Sequence, residues 1–399
     1  MATTWLDFIL EQHKELESPE SFWFWSALSA VSAIVKDNIW FDKQAYKLYP
    51  NIYVMLHADS GLKKGPPIAM AKQLVRAVNN TNIIVGRSSI QGILKDMGTS
   101  KTIPGGHIVN NAKAFICSSE LASSIVEDRV ATTILTDLYD RQWNEDNWKS
   151  LLKIEQFNLK DPTITMLTAT NEAHSDEFFV KQDVQGGYFG RTFIIYENKN
   201  EVVNSLMFPL KYKIDYKQSA EYLKSIALLK GEFDASDVVR HYIDDWYVDF
   251  RKTTHEMDVK DKTGTLNRFD DSMQKVAMVI NLARERGLQL ELESVKEAIN
   301  VCEKLVGNVR KVMMGKGKAA NAQQKAVAIQ ELIERENHMI SRTQLNRKYY
   351  LHASDIEWDD IMRQLEVAGI CRIETVGNQI CYRMTDIQVS EWKKHLLGK

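Results

Sequence analysis

Cysteine is scarce in this sequence, and the few cysteines present do not form a metal-binding or disulfide pattern. The 399 residues contain four of them, Cys117, Cys302, Cys371 and Cys381. They show no CxxC spacing and have no histidine close by, although zinc sites and redox motifs depend on such clusters. A zinc site and a disulfide framework are therefore not expected, and the four side chains are predicted to be small core residues.

Long apolar runs are also lacking. No run approaches the roughly 18 residues that a membrane span needs, and the N-terminus has no basic segment followed by an apolar core, as a secretion signal has. The hydrophobic content of 44% and the charged content of 26% are typical of a globular protein. We therefore expect no membrane partner and a cytoplasmic setting.

An excess of charge of one sign is missing as well. The chain has 51 lysines and arginines against 53 aspartates and glutamates, a formal net charge of −2. Such a balance gives no overall attraction to nucleic acid, so any DNA contact must come from local basic patches.

The most informative stretch is an apolar segment at 51–57 that leads through a small-residue loop into an amphipathic helix. The loop reads Ala58-Asp-Ser-Gly-Leu-Lys-Lys-Gly65. A P-loop binds phosphate through the backbone amides of small residues, a lysine and a helix N-terminus. The candidate contacts are Ser60, Gly61, Lys63, Lys64 and Gly65, with Lys64 in the register of the P-loop lysine. The alternative is an ordinary strand-to-helix turn with exposed lysines.

Two positions of this loop depart from the P-loop pattern. Ala58 replaces the first glycine, and Gly65 replaces the Ser or Thr that places a hydroxyl on magnesium. Nucleotide binding is therefore better supported than hydrolysis.

A second apolar run, Ala114-Phe-Ile-Cys-Ser-Ser-Glu120, ends in a carboxylate. In a P-loop ATPase an Asp at this strand end holds the magnesium shell and the following Glu polarises the attacking water. Ser119 stands at the Asp position and Glu120 at the Glu position, so Glu120 is the candidate catalytic residue and an indirect, water-mediated magnesium contact. The alternative is a strand that ends in a solvated glutamate.

Two further strands carry polar residues at their ends. The β-branched run at 163–170 predicts a buried strand, and Asn171 follows it. A glycine-rich turn at 185–190 leads to Arg191 and then to an apolar strand at 192–196. The flexible turn and the rigid strand are expected to present Arg191 at an exposed edge.

The pattern of elements predicts an α/β protein in four parts. Residues 1–204 are predicted to contain N-terminal helices and the P-loop core, and residues 205–315 have a helical period and predict a lid domain. Residues 316–324 read as a small, polar, basic linker. Residues 325–399 predict helices at 326–336, 341–350 and 354–368 and a hairpin around Gly377-Asn378, the layout of a winged helix-turn-helix.

Two sets of basic residues are candidates for nucleic-acid contact. The first set lies on a predicted hairpin after Trp143 and consists of Lys149, Lys153 and Lys160. The second set lies on the winged helix and consists of Arg342, Arg347 and Lys348. Acidic residues at the start of the third helix argue against ordinary insertion of that end into the major groove. Docking of a protein is therefore the alternative for the winged helix.

The order of these motifs resembles the AAA+ ATPases, in which the polar residue at Asn171 senses nucleotide and the arginine at Arg191 completes a neighbour's site. The segment from Arg268 to Arg284 resembles a helix of the minichromosome maintenance (MCM) helicases, which places a basic sensor at Lys275 and an upstream arginine at Arg268. The chain also looks like AAA+ primase-helicase proteins of phages and mobile elements, whose loops often read Ser-Gly-x-x-Lys-Gly, as at 60–65.

The resemblance implies an AAA+ core with a helical lid and a C-terminal winged helix, ATP and Mg²⁺ as cofactors, and a homo-oligomer, expected to be a hexamer, in the cytoplasm of a bacterial host. The expected function is that of a ring-forming, ATP-dependent DNA helicase or translocase of phage or mobile-element replication. Single-stranded DNA is expected in the pore, and duplex DNA at the winged helix. The alternative is a nucleotide-gated initiator or helicase loader that hydrolyses ATP weakly or not at all. A third possibility is a structural protein with a degenerate NTPase fold.

Overall fold

The computed structural model describes most of the chain, and its contacts divide the chain into two compact units. The described residues are 4–78, 81–86, 88–102, 108–118, 129–141, 147–151, 156–171, 187–200, 202–204, 214, 216–256, 264–314, 318–335, 337–349 and 355–385. The first unit comprises Met1–Asp245 with Lys262–Asn308, and the second comprises Trp246–Asp261 with Val309–Lys399. Much of the segment 205–315 therefore groups with the first unit. Within the described part, no helix has the length and apolar character needed to span a membrane.

The protein is an α/β protein, as predicted. Its described helices are α1 (Trp5–His13), α2 (Glu20–Val35), α3 (Gly65–Val78), α4 (Ile90–Met97), α5 (Arg129–Asp140), α6 (Tyr216–Ile226), α7 (Asp237–Glu256), α8 (Phe269–Ala283), α9 (Leu292–Met314), α10 (Lys318–Glu334), α11 (Arg342–Lys348) and α12 (Asp355–Val367).

The described strands are mostly short. They are β1 (Ile39–Asp42), β2 (Lys47–Leu48), β3 (Tyr53–His57), β4 (Asn82–Ile84), β5 (Ser100–Thr102), β6 (Ile108–Asn110), β7 (Lys113–Ser118), β8 (Asn147–Leu151), β9 (Gln156–Lys160), β10 (Thr163–Thr170), β11 (Thr192–Tyr196), β12 (Gly231–Glu232), β13 (Asp234–Ala235), β14 (Gln289–Leu290), β15 (Met339–Ser341), β16 (Cys371–Val376) and β17 (Gln379–Met384).

The core of the first unit is a five-stranded, all-parallel sheet in the order β11-β3-β10-β7-β4. All eight residues of β10 are buried, as expected of a β-branched strand covered on both faces. The register pairs Thr170 with His57 and Tyr196 with the same residue. Because the strands are parallel, all of them end at one edge, here called the carboxyl edge, and all begin at the opposite amino edge.

Helix α2 lies against the sheet and is buried along its whole second half. Every residue from Trp25 to Val35 is buried, which the small side chains permit, and the helix contacts β3 and β10. Ser32 Oγ donates a hydrogen bond to Pro50 O (2.8 Å) and lies 2.9 Å from Thr165 Oγ1. This tryptophan-rich segment is therefore a packing element of the core.

The predicted hairpin after Trp143 is confirmed as the antiparallel pair β8 and β9. Trp148 pairs with Leu159, and both are buried. Lys149 and Lys160 lie on the opposite face and are exposed. Lys153 lies outside the described residues.

In the second unit, helices α10, α11 and α12 pack with the three-stranded antiparallel sheet β15-β17-β16 around the fully buried Trp358. The expected hairpin around Gly377-Asn378 is confirmed, and Gly377 takes a φ of 62° at its turn. Helix α10 begins at Lys318, so most of the predicted linker at 316–324 is helical. The alanines of this segment are strong helix formers, which explains the difference.

A buried network of four charges ties elements together at the amino edge. Arg141 Nη2 lies 2.9 Å from Asp37 Oδ2 and 2.6 Å from Asp161 Oδ1. Lys113 pairs with the same two carboxylates. Burial opposes ionisation of Asp161, but the hydrogen bond from Lys113 and the charge of Arg141 outweigh it and lower the pKa of this carboxyl.

We expect the Arg141→Met variant to lose about 3 kcal/mol of unfolding free energy, because two largely buried carboxylates then share Lys113 alone. The lowered pKa of Asp161 stabilises the fold above the unfolded-state pKa of about 4, and this stability is lost as the pH falls through the folded-state pKa. Urea denaturation between pH 7 and pH 3 should therefore show a flatter acid dependence for the variant.

The matched control is Arg240→Met, since Arg240 pairs with Asp234 on the surface, with 55% and 70% of the two side chains exposed. This control should keep the wild-type unfolding midpoint. Equal midpoints for Arg141→Met and wild type would contradict a stabilising role of the network.

Candidate functional site

The predicted phosphate loop leaves the carboxyl edge of the sheet between β3 and β10. Ala58 N lies 3.5 Å from Thr170 O, which connects the start of the loop to the end of the neighbouring strand. Lys64 Nζ donates hydrogen bonds to Ala58 O (2.6 Å) and Asp59 O (3.0 Å). The ammonium group therefore lies across the mouth of its own loop, in the position from which it can meet a phosphate.

The backbone of the loop is curled at two positions. Gly61 has a φ of 99° and Lys63 has a φ of 51°. Lys63 stands directly before the P-loop lysine, where the motif has its second glycine, and it adopts the left-handed conformation that glycine takes most readily. Lys63 is therefore a third departure from the pattern, besides Ala58 and Gly65. It is visible in the sequence as the first lysine of the pair Lys63-Lys64.

The start of helix α3 is poor in hydrogen-bond donors. A helix normally leaves four backbone N–H groups free at its N-terminus. Gly65 is followed here by Pro66 and Pro67, which have no N–H to offer an anion. These prolines favour the helix start but leave fewer amides for phosphate than a usual P-loop helix has. The sequence shows this feature too, and the prediction of the site did not include it.

The absence of a side-chain hydroxyl at position 65 is not caused by a lack of space around the backbone. A Cβ added at this position would have no atom within 4 Å, and the φ of Gly65 is not in the left-handed region. The backbone therefore accommodates a Cβ, the first atom of a serine or threonine side chain, as it stands.

Residues around the loop hold it in place and set its electrostatics. Ser18 Oγ donates to Lys63 O at 2.7 Å, which connects the loop to the segment before α2. Burial and the charge of Lys64 lower the pKa of His57 to about 4, so this imidazole is neutral at physiological pH.

Asn171 directly follows Thr170 and thus lies beside the start of the loop. Ser119 and Glu120 lie outside the described residues.

These groups fit a phosphate chain better than they fit a metal ion. Lys64 and the curled backbone of 58–65 are suited to phosphate oxygens. Gly65 offers no side-chain oxygen for Mg²⁺, and no group of three or more His, Cys, Asp or Glu residues converges on a possible metal position in the described part of the chain.

Arg191 is not at an exposed edge, and this expectation was wrong. Its Nε donates to Asp140 Oδ1 at 2.8 Å, its Nη2 pairs with Asp140 Oδ2, and its Nη1 donates to Gly187 O at 2.9 Å. Only 8% of the side chain is exposed. Asp140, at the end of α5, binds the guanidinium of Arg191 within the same chain. The sequence pattern does not reveal this contact.

Lys275 and Arg268 do not meet Lys64 in this chain. Lys275 Nζ lies 2.7 Å from Asn51 Oδ1, and Asn51 precedes β3, whereas the phosphate loop follows this strand. A rise of about 3.3 Å per residue places the two ends roughly 20 Å apart. Arg268, Lys275 and Arg191 instead line a common pocket of about 560 Å³ at the amino edge.

Two of the three predicted DNA-contact residues of the second unit are in ion pairs. Arg342 Nε donates to Asp359 Oδ1 at 2.7 Å, and Lys348 Nζ lies 3.4 Å from Glu331 Oε2. Arg347 is exposed. The paired cations have less charge to offer to DNA phosphates than the sequence suggested.

No protein-family model matches this chain, and a comparison with curated proteins gives no match. The assignment of a function therefore rests on the loop at the carboxyl edge and on the side chains around it.

We expect Lys64→Ala to weaken ATP binding more than tenfold, because a charge-assisted contact to phosphate is worth about 1.5–3 kcal/mol. Lys63→Gly restores the glycine of the motif at a φ of 51° and should bind ATP at least as well as wild type. Isothermal titration calorimetry with ATP and Mg²⁺ measures both affinities. Equal affinity of Lys64→Ala and wild type would remove this loop as the nucleotide site.

Proposed function

We propose that this protein is an ATP-binding P-loop protein of the AAA+ type that acts on DNA as a ring-forming helicase or translocase of phage or mobile-element replication. The observation that carries the proposal is Lys64, whose ammonium group caps the loop between Ala58 and Gly65 at the carboxyl edge of an all-parallel sheet. In open parallel sheets, ligands bind outside the carboxyl ends of the strands. The fold is compatible with a Rossmann-like or P-loop core.

In this proposal Lys64 neutralises phosphate charge and the loop amides bind the phosphate oxygens. Asn171 orients a water molecule, and Glu120 accepts its proton during attack on the γ-phosphate. Bound Mg²⁺ supplies further charge neutralisation on the phosphates. Arg191 can serve a neighbouring subunit only after it exchanges Asp140 for a phosphate, so its proposed role requires a change of partner.

A second candidate function is that of a replication initiator or helicase loader that binds ATP as a gate and hydrolyses it weakly. The start of α3 favours it, because Gly65 lacks the magnesium-binding hydroxyl and the two prolines after it lack amide donors. Both candidates use the same loop and differ in turnover.

The steady-state ATPase rate with and without single-stranded DNA separates the two candidates. For the helicase we expect slow hydrolysis that DNA stimulates. Gly65→Thr should raise the rate at saturating ATP and Mg²⁺ by tenfold or more, because it adds the missing hydroxyl in open space. Gly65→Ala is the matched control and should stay at the wild-type rate. Absence of turnover in wild type under both conditions supports the gate and excludes the helicase.

DNA contact is proposed first for the exposed face of the β8–β9 hairpin. Replacing Lys149 and Lys160 by alanine should weaken single-stranded DNA binding and reduce the slope of log affinity against log salt by roughly 0.7 for each phosphate that the variant no longer binds. Fluorescence anisotropy between 50 and 300 mM salt measures the slope. Lys224→Ala, an exposed lysine paired with Glu221, is the control and should not change it. An unchanged slope in the hairpin variant would exclude this face from the DNA path.

The second unit has the order of helices and strands that a winged helix needs, namely α10, β15, α11, α12 and the β16–β17 hairpin. We therefore retain duplex DNA as its proposed partner, with exposed Arg347 as its best candidate contact. The proposed hexameric ring is tested by the mass of the protein with a nonhydrolysable ATP analogue.

A further inference from the structure

The pocket at the amino edge is a built site that the phosphate loop does not explain. Its volume of about 560 Å³ lies within the range of small-molecule sites. Tyr46, Tyr49 and Tyr139 contribute aromatic surface to its wall. Aromatic surface beside charged groups is suited to a ligand that carries both a ring and a charge.

The charged groups of the wall are mainly cationic. Lys47, Arg191, Arg268 and Lys275 line the pocket, against the two carboxylates Asp140 and Asp271.

Both carboxylates already have partners within the chain. Asp140 binds Arg191, whereas Asp271 accepts hydrogen bonds from Tyr46 Oη at 3.0 Å and lies 4.0 Å from Lys43 Nζ. The wall of the pocket therefore carries four cationic side chains and two carboxylates.

The hydrogen-bond and ring partners of Lys275 are neutral groups. Its side chain is buried, its closest hydrogen-bond partner is the neutral Asn51 Oδ1 at 2.7 Å, and its Nζ lies 3.6 Å from the centroid of the Tyr139 ring. Among the described residues no carboxylate forms an ion pair with this ammonium group. A buried ammonium group without a counter-ion is costly, and a bound anion would remove that cost.

The geometry points to a second anion site, at the amino edge, in which Lys275, Arg268 and Arg191 bind the phosphate of a nucleotide-sized ligand while the tyrosines contact its ring. This site lies at the opposite edge from the phosphate loop and does not require that loop to bind nucleotide. The ligand is a free nucleotide, held by side chains of a single copy of the chain.

Asp140 is expected to compete with this ligand, because it holds the guanidinium of Arg191 through two hydrogen bonds. A phosphate that enters the pocket must share or replace this carboxylate. Asp140→Asn therefore should strengthen anion binding, and Arg191→Gln should weaken it.

Binding should also depend on pH. Burial lowers the pKa of Lys275 to about 7. The charges of Asp140 on α5 and of Asp271 on α8, the helix of Lys275, raise this pKa. The charges of Arg141 and Arg191 lower it further. Tyr139 and Arg268 also lie around the pocket. A bound anion raises the pKa again, so above pH 7 binding takes up a proton and the affinity falls by up to tenfold per pH unit. Below pH 7 the lysine is protonated in both states and this dependence ends.

The test uses the full chain with Lys64→Ala as the background, in which binding at the phosphate loop is weakened. A failure of the second site can then be distinguished from a failure of the phosphate loop. Calorimetry with ADP and with inorganic pyrophosphate should detect binding that Arg268→Gln and Lys275→Gln each weaken tenfold or more. Lys224→Gln, on the surface of α6, is the matched control and should not change the affinity. Lys275→Arg should keep binding. The pH dependence that remains in this variant should be only that caused by titration of the probe itself.

Sedimentation distinguishes this free ligand from the nucleotide of a neighbouring subunit. Binding of ADP to monomeric Lys64→Ala protein supports the proposal. Absence of such binding, together with an ATP-dependent association of the protein with an intact phosphate loop that Arg268→Gln or Lys275→Gln abolishes, would overturn it. Arg268 is only half-buried, so its variant keeps the test valid if the Lys275 variants do not fold. No effect of either variant on binding or on association would overturn the proposal.

Discussion

Parallel strand pairing is the constraint on which the functional anatomy of this chain depends. Because β3, β7, β10 and β11 run in the same direction, the residues that follow them gather at one edge and the residues that precede them gather at the other. Lys64 and Asn171 belong to the first edge, and Asn51 and Arg191 to the second. A strand of five residues is sufficient to keep the two groups apart, so that each edge has its own electrostatic character.

The two edges differ in how their cations are compensated. At the carboxyl edge Lys64 binds backbone carbonyls, which are weak partners that a phosphate can replace. At the amino edge Arg191 binds a full carboxylate, and Lys275 binds an amide oxygen in a buried setting. An anion therefore encounters an accessible lysine at one edge, and at the other edge a pocket whose charges are partly neutralised by its own residues.

Much of the fold could be predicted from the sequence because its local signals agree with its tertiary contacts. Ser89, a residue type common at helix starts, caps α4, and Gly377-Asn378 forms the expected turn. The site was less predictable. Asp140 and Arg191 are 51 residues apart, and no periodicity indicates their ion pair. The position of Lys275 depends on strand direction and on Asn51, which the sequence reveals only once the sheet order is known. The lost amides at 66 and 67, in contrast, follow directly from the two prolines in the sequence.

Helix α2 is fixed to the sheet by directional contacts. Its apolar face alone would allow the helix to slide along the sheet, since dispersion contacts have little directional preference. The hydroxyl of Ser32 contacts both the entry to β3 and the middle of β10, and hydrogen bonds are directional. The helix and these two strands should therefore move as one body, and any response to a ligand should arise in the loops at the ends of that body.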